Sequence, residues 1–428
     1  MSRSQVSTKD QLFRLAMIAF GIGLMILASF LATGCSSMEH GKRNIEAKNA
    51  AQKRIDTLKA ANEYQMAVQA LTAGDLEKAS KHGDRALSLN EGVTRSWVLR
   101  ARIMMEKGEM QGANDSLAKA EQLSPTDVET QYYMGLLAER VARREEALKR
   151  YLRASELDTD NAQYPIAAAE MMIDLGQVDE AEKFLIDRQT TFQHTAGIQQ
   201  TLGHIQLLRN NYQAAADNFN QARLLAPNSN EIVEDLARAL FLAGSYADAE
   251  QHLARLTKDE VFKQRRDLLH MRAKCLINLD RNAEARDLLV AMTRQEGGNA
   301  DVEAWIQLGQ VAYTLRDNSR VRVSFSRLIA MVPERPEGYV LKGLYMRRTG
   351  DLTGAEDQLR KAVELETDAN RNSENLVVLG LILESQKKTR SAQAMFDKAA
   401  KLDPSNKIAT RLASDPGAAA TLAAAQDE

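Results

Sequence analysis

Two cysteines are all that 428 residues contain, Cys35 and Cys275. Once Cys35 is otherwise engaged no pair is left for a disulfide, so packing alone must hold the fold. Proline is scarce, at seven residues, and aromatic residues make up only 5% of the chain, with two tryptophans. β-Branched runs are rare while Leu, Ala, Glu, Lys and Arg abound, a balance that favours an all-α chain. Catalytic signatures are missing too: there is no HExxH, no phosphate-cradling GxxxxGK[ST], no GxSxG and no CxxC. The six histidines are scattered, no two of them one helical turn apart, which predicts no metal site. Acidic pairs such as Glu145-Glu146 and Asp179-Glu180 fall where second helices begin, where carboxylates favour the helix amino terminus. A formal charge of −2 with no basic block argues against nucleic acid as a partner. The residues indicate neither a catalytic group nor a cofactor.

What is present is a ladder. Ala79, Ala113, Ala147, Ala181, Ala215 and Ala249 follow one another every 34 residues, and Ala285, Val321, Ala355 and Ala392 continue at looser intervals. With the ladder residue at slot 20 of each repeat, both tryptophans, Trp97 and Trp305, fall at slot 4. Slot 8 is always alanine or glycine, from Ala67 and Ala101 through Gly135 and Gly203 to Gly380. Slot 15 holds Gly74, Gly108, Gly176, Gly244 and Gly350, where a first helix must stop and turn. Slot 32 takes Pro125, Pro227, Pro333 and Pro404, ending the second helix.

Small residues at slots 8 and 20 let the two helices of a hairpin approach closely. Large apolar residues at slot 24, including Leu117, Tyr151, Phe219 and Phe396, fill the space beside them. One hairpin cannot bury its own apolar face, so neighbours must stack. This pattern resembles the tetratricopeptide repeat, over residues 60–406. The resemblance implies an α-solenoid, a right-handed superhelix of about ten helix hairpins. Repeats 1–6 occupy 60–263 in strict phase, and repeats 7–10 occupy 264–406, with extra residues at Gln264-Arg265, Ala300-Asp301 and Asn370-Arg371-Asn372. A kink is expected near residue 264. Residues 407–428 form a capping segment and then, past Asp415-Pro416-Gly417, a disordered tail with no core to join.

Ahead of the repeats, Arg3, Lys9 and Arg14 precede an apolar run from Leu15 to Leu31. Such a run is an export signal or a membrane anchor. Its ending, Leu31-Ala32-Thr33-Gly34-Cys35, resembles the bacterial lipobox. That resemblance implies a signal peptide over 1–34, lipidation of Cys35, and an outer-membrane position facing the periplasm, since Ser36 rather than Asp follows. The alternative is an uncleaved transmembrane helix. Residues 35–59 read as a lipidated cysteine and polar tether, helical in its second half.

In tetratricopeptide proteins the first helices line a concave groove, and slots 2, 5, 9 and 12 contact a peptide or helix. Carried onto this chain, the resemblance implies a partner-binding groove that includes Arg102, Tyr132, Leu136, Glu170, His204, Arg238, Phe241, Lys274, Tyr313 and Leu344. This mixture suits a protein segment with apolar anchors. The functional expectation is a non-enzymatic, lipid-anchored scaffold in the cell envelope, similar to lipoproteins that assist pilus or secretion-complex assembly. Alternatives are a cell-wall or exopolysaccharide-export adaptor and an envelope hydrolase.

Overall fold

A computed structural model describes residues 38–415 and 417–419, with side chains from residue 45 onward. The leader over 1–34, Cys35 and the last nine residues lie outside the described residues. The chain divides between Thr159 and Asp160 into two compact units, each a stack of helix hairpins. The first contains α1 Met38–Thr72, α2 Leu76–Leu89, α3 Thr94–Glu106, α4 Met110–Leu123, α5 Val128–Arg140 and α6 Arg144–Leu157. The second begins with α7 Gln163–Asp174, α8 Val178–Gln189, α9 Ala196–Leu208, α10 Tyr212–Leu225, α11 Asn230–Leu242 and α12 Tyr246–Leu256. It continues with α13 Arg266–Asn278, α14 Asn282–Arg294, α15 Val302–Thr314, α16 Asn318–Met331, α17 Glu337–Arg348 and α18 Leu352–Leu365. It closes with α19 Ala369–Ser385, α20 Thr389–Leu402 and a short α21 Lys407–Ser414. No strand occurs among the described residues, and the fold is an all-α solenoid of hairpins.

Each hairpin is closed the same way. The residue at slot 15 has positive φ in every repeat: Gly74, Gly108, Gly176, Gly244 and Gly350, but also Ala142, Asn210, Asp280, Arg316 and Lys387. In the first turn the Gly74 amide donates to the Leu71 carbonyl and the Asp75 amide to Ala70; in the last, Lys387 donates to Glu384 and Lys388 to Leu383. This pair of bonds satisfies the orphan carbonyls of the first helix and reverses the chain. Second helices are then started by capping side chains such as Asp75, Asp317 and Asp351, each accepting from the amide three residues on.

The ladder residues are fully buried, each at 0% exposure, Val321 included. Slots 8 and 24 are matched to each other. At three of the slot-8 glycines an aromatic ring lies on the glycine: a methyl built on Gly135 would sit 2.6 Å from Tyr151, and one on Gly203 2.6 Å from Phe219. Gly380 faces Phe396 in the same way. Where slot 8 is Ala101, Ala169, Ala237 or Ala273, slot 24 is leucine, and with Ala67 in the first repeat it is Gly83. Repeats 8 and 9 depart from the scheme: in repeat 8 Phe325 lies beside Tyr345 at 5.6 Å and Leu341 covers Gly309, and in repeat 9 Leu359 covers Gly343. The slot-4 aromatics bury their rings and tie their polar tips to the preceding loop. Trp97 donates to Glu91 O at 2.8 Å, Trp305 to Gly298 O at 3.2 Å, and Tyr339 to Pro333 O at 3.0 Å.

The two extra residues Gln264-Arg265 lie in the turns between α12 and α13, between repeats as expected. Other local expectations are corrected. Asn370-Arg371-Asn372 do not loop out but form the first turn of α19, because Asp368 caps that helix by accepting from the Arg371 amide at 2.9 Å. Helix α1 starts at Met38, so the tether segment is helical well before its second half. Beyond Asp415 the chain does find a core: Ala418 and Ala419 are buried against the cluster of Leu376, Leu383 and Leu412.

Candidate partner-binding site

In the first unit, Arg102 on α3 and Leu136 on α5 line one concavity of about 460 Å³, with Tyr133 between them. The Arg102 guanidinium lies 5.0 Å over the Tyr133 ring, a cation–π contact, and Arg95 lies 4.9 Å over Tyr64 on α1. Burial pushes the phenols of Tyr64 and Tyr133 above their ordinary range, keeping both neutral. Arg140 closes one end, pairing with Glu106 at 2.8 Å and donating to Met105 O at 3.0 Å. Tyr132 is not in this concavity. Its ring packs 5.3 Å from Tyr133 and 5.6 Å from Tyr151. Tyr133, at slot 6, lines this concavity and is not among the residues the slots select. The adjacent tyrosine at 132 was the only sequence signal for it.

In the second unit the expected residues separate into two groups. His204, Arg238 and Lys274 are engaged by neighbouring charges. His204 Nε2 lies 3.3 Å from Asp235, which also accepts from Gln200 at 2.9 Å, and its ring packs edge-on to Phe219 at 5.0 Å. Arg238 reaches Glu234 at 3.3 Å, and Glu234 is also gripped by both terminal nitrogens of Arg265. Lys274 pairs with Glu303 at 3.2 Å, beside Asp301, which takes both Arg266 and His270. Burial raises the Asp301 carboxyl, but the Ala304 amide, His270 and Arg266 outweigh it and hold the group below its ordinary range. Phe241 is half-buried, 5.8 Å from Tyr246, and Glu170 is exposed on α7.

Tyr313 and Leu344 form the second group, and the structure brings them together. They line a cavity of about 980 Å³ between α15, α17, α19 and α21. Val377, Val378 and Leu381 of α19 and Ile408 of α21 complete its apolar surface. Arg316, Arg347, Lys407 and Arg411 supply positive charge, Glu374 and Asp403 negative. The α21 wall is not obvious from repeat slots, since it lies outside the ten repeats. Its signal was the Ile408 and Leu412 spacing.

Little else has the makings of a reactive centre. Cys275 is buried, and desolvation pushes its thiol up to about 12, leaving it protonated and inert. Among the described residues no three His, Cys, Asp or Glu side chains gather for a metal ion, and no helix is long and apolar enough to cross a membrane.

Two segments of the chain, residues 201–260 and 373–406, match family models described as tetratricopeptide repeat. The chain carries tetratricopeptide repeats. Among curated proteins it is similar to tetratricopeptide repeat protein 36 of Xenopus tropicalis, 37% identical over 95 residues that cover 22% of this chain and 47% of that protein. The chain thus spans about half the length of the curated relative it matches. Solved structures similar to it include a thermophilic tetratricopeptide protein of Thermus thermophilus, at TM-score 0.37 and 19% identity over 42% of this chain and 98% of that one. PilW, a widely conserved type IV pilus biogenesis factor, gives TM-score 0.42 and 17% identity over 47% and 93%. The C-terminal part of a tetratricopeptide protein of Cytophaga hutchinsonii gives 0.44 and 15% over 57% and 98%.

Proposed function

We propose that this tetratricopeptide protein is a non-enzymatic scaffold that holds a segment of a partner protein, and that its main docking site is the cavity of repeats 8–10. The observation that carries this reading is the cavity itself: about 980 Å³, lined by aliphatic and charged side chains. Such a surface supplies the apolar anchor pockets and polar rim that peptide recognition needs. We further propose that the scaffold is held at the outer membrane, facing the periplasm, by lipid on Cys35. On the resemblance to lipoproteins that assist pilus or secretion-complex assembly, its client is a component of such a complex.

Two experiments test this. A photo-crosslinking residue placed at Ile408, on the cavity wall, is compared in cells with one at Val261, which is exposed on a turn elsewhere in the second unit. Adducts of defined mass from position 408 and none from 261 are expected; the same adducts from both positions reject the cavity. For the anchor, inhibition of the lipoprotein signal peptidase is expected to accumulate a slower-migrating precursor, and an unchanged band rejects lipidation at Cys35.

A further inference from the structure

In the first two hairpins the second helix carries small or polar residues at slots 21 and 25: Ser80 and Asp84 in repeat 1, Asn114 and Ala118 in repeat 2. Repeat 3 has leucine at both. Leu148 and Leu152 lie one turn apart on α6, each only half-buried, and with Pro125 they wall a concavity of about 580 Å³.

Gln131, at slot 4 of the same repeat, lines this concavity and is 3% exposed. Its side-chain amide donates to Pro125 O at 3.2 Å, the bond that Trp97, Trp305 and Tyr339 make from slot 4 to their own preceding loops. Repeat 3 thus keeps the slot-4 bond without the slot-4 ring. Beside Trp305, where the ring is present, the concavity measures about 340 Å³. The Gln131 amide also donates to Glu121 at 3.2 Å, and its Oε1 accepts from Arg150 at 2.9 Å, while Arg150 pairs with Glu121. Burial raises the Glu121 carboxyl, but Arg150 and Gln131 outweigh it and hold the group below its ordinary range. Two acceptors therefore fix the Arg150 guanidinium beside the leucines before anything binds.

Charge around the concavity is even: Glu121, Glu145 and Glu156 against Lys149, Arg150 and Arg153. Such a balance favours neither an acidic nor a basic side chain and suits an uncharged one. Among uncharged side chains an aromatic one gains most here. Its area covers the leucines, and its π-face meets a guanidinium whose bonds to Glu121 and Gln131 run in its own plane and do not use its faces.

We propose that this concavity, built entirely from the first unit, is a second docking site and takes an aromatic side chain of a partner protein. The partner supplies from outside the ring that slot 4 of repeat 3 lacks.

The test passes the full-length chain in detergent micelles over beads carrying the hexapeptide Gly-Ser-X-Ser-Gly-Ser, with X as Trp, Tyr, Phe or Leu. Retention on the aromatic beads is expected to exceed that on the Leu beads about fivefold, the scale of one cation–π contact. Gln131→Trp places a ring in the concavity from within and is expected to abolish the preference. Because it also removes an acceptor from Arg150, its melting temperature is recorded, and Leu152→Glu, on the half-buried wall, serves as the second variant and is expected to act alike. Loss of the preference in a variant that melts as the wild type does supports the site. A preference absent from the wild type, or surviving in either variant, overturns it. Both overturning results leave the cavity of repeats 8–10 untouched, since none of these residues lines it.

Discussion

Repeats 5–7 and repeats 8–10 are made from the same hairpin and both pair charges between hairpins, as Lys388 does with Glu356, but the second stretch also lines a cavity of about 980 Å³. In the former, first-helix charges answer one another across successive hairpins, as Lys274 answers Glu303. In the latter, the cations around Leu344 and Leu381 outnumber the carboxylates. The same packing recurs in both, with Phe219 against Gly203 in one and Phe396 against Gly380 in the other. Fold and surface are thus specified by separate sets of residues, so a stretch of solenoid can be internally neutral or receptive without altering its core.

The largest effect expected is one that both stretches should share. Gly203→Ala and Gly380→Ala each drive a methyl into an aromatic ring, and overpacking of this kind costs about 3 kcal/mol. Urea denaturation should give similar losses for the two, and a loss in only one would mean the stretches are packed differently. Next comes a change that should separate them. Asp301→Ala strips the cap from Ala304 and leaves Arg266 and His270 without their shared acceptor, at a cost of about 2 kcal/mol. Glu374→Ala, at the exposed edge of the cavity, should change stability by no more than about 0.5 kcal/mol.

Acid should sharpen the same contrast. Asp301 is held below its ordinary value of 3.8, so the unfolded chain binds its proton more readily. The stability it lends is therefore complete above about pH 4 and lost as pH falls through the lower folded value. Melting temperature recorded downward from pH 5 should drop less steeply in Asp301→Asn than in the wild type. The smallest effects concern the turns. Asp280→Gly in repeat 7 and Lys387→Gly in repeat 10 relieve a left-handed residue and should each stabilise by about 0.5 kcal/mol, because the relief is partly offset by glycine's added chain entropy. Gly244→Ala should cost about 1 kcal/mol. A stabilisation in one repeat and not the other would show that the two turns differ.

The turns also show where sequence was informative and where it was not. The ladder alanines and slot-8 residues could be read directly because close helix approach admits nothing larger, and each lies where that requirement predicts. Half of the left-handed turns were invisible, since Ala142, Asn210, Asp280, Arg316 and Lys387 adopt the same φ without glycine. There the paired backbone bonds and the packed helices impose the conformation that glycine merely permits. The candidate site was less legible. Slot numbers identify which face of a helix a residue occupies but not whether a charge on that face is answered by the next hairpin. That depends on residues just outside the slots, such as Arg265 beside Glu234 and Asp301 beside His270. The α21 wall was hidden for a related reason: Lys407 and Arg411 belong to no repeat.

Helix α1 runs without interruption from Met38 to Thr72, yet its hairpin with α2 needs only the last third or so. At about 1.5 Å per residue, residues 38–59 make a stilt of about 33 Å. Whatever is fastened at residue 38 stands that far from the first hairpin and shares its orientation, because one continuous hydrogen-bonded rod joins them. A flexible leash would fix only a maximum reach; this rod sets a standing height.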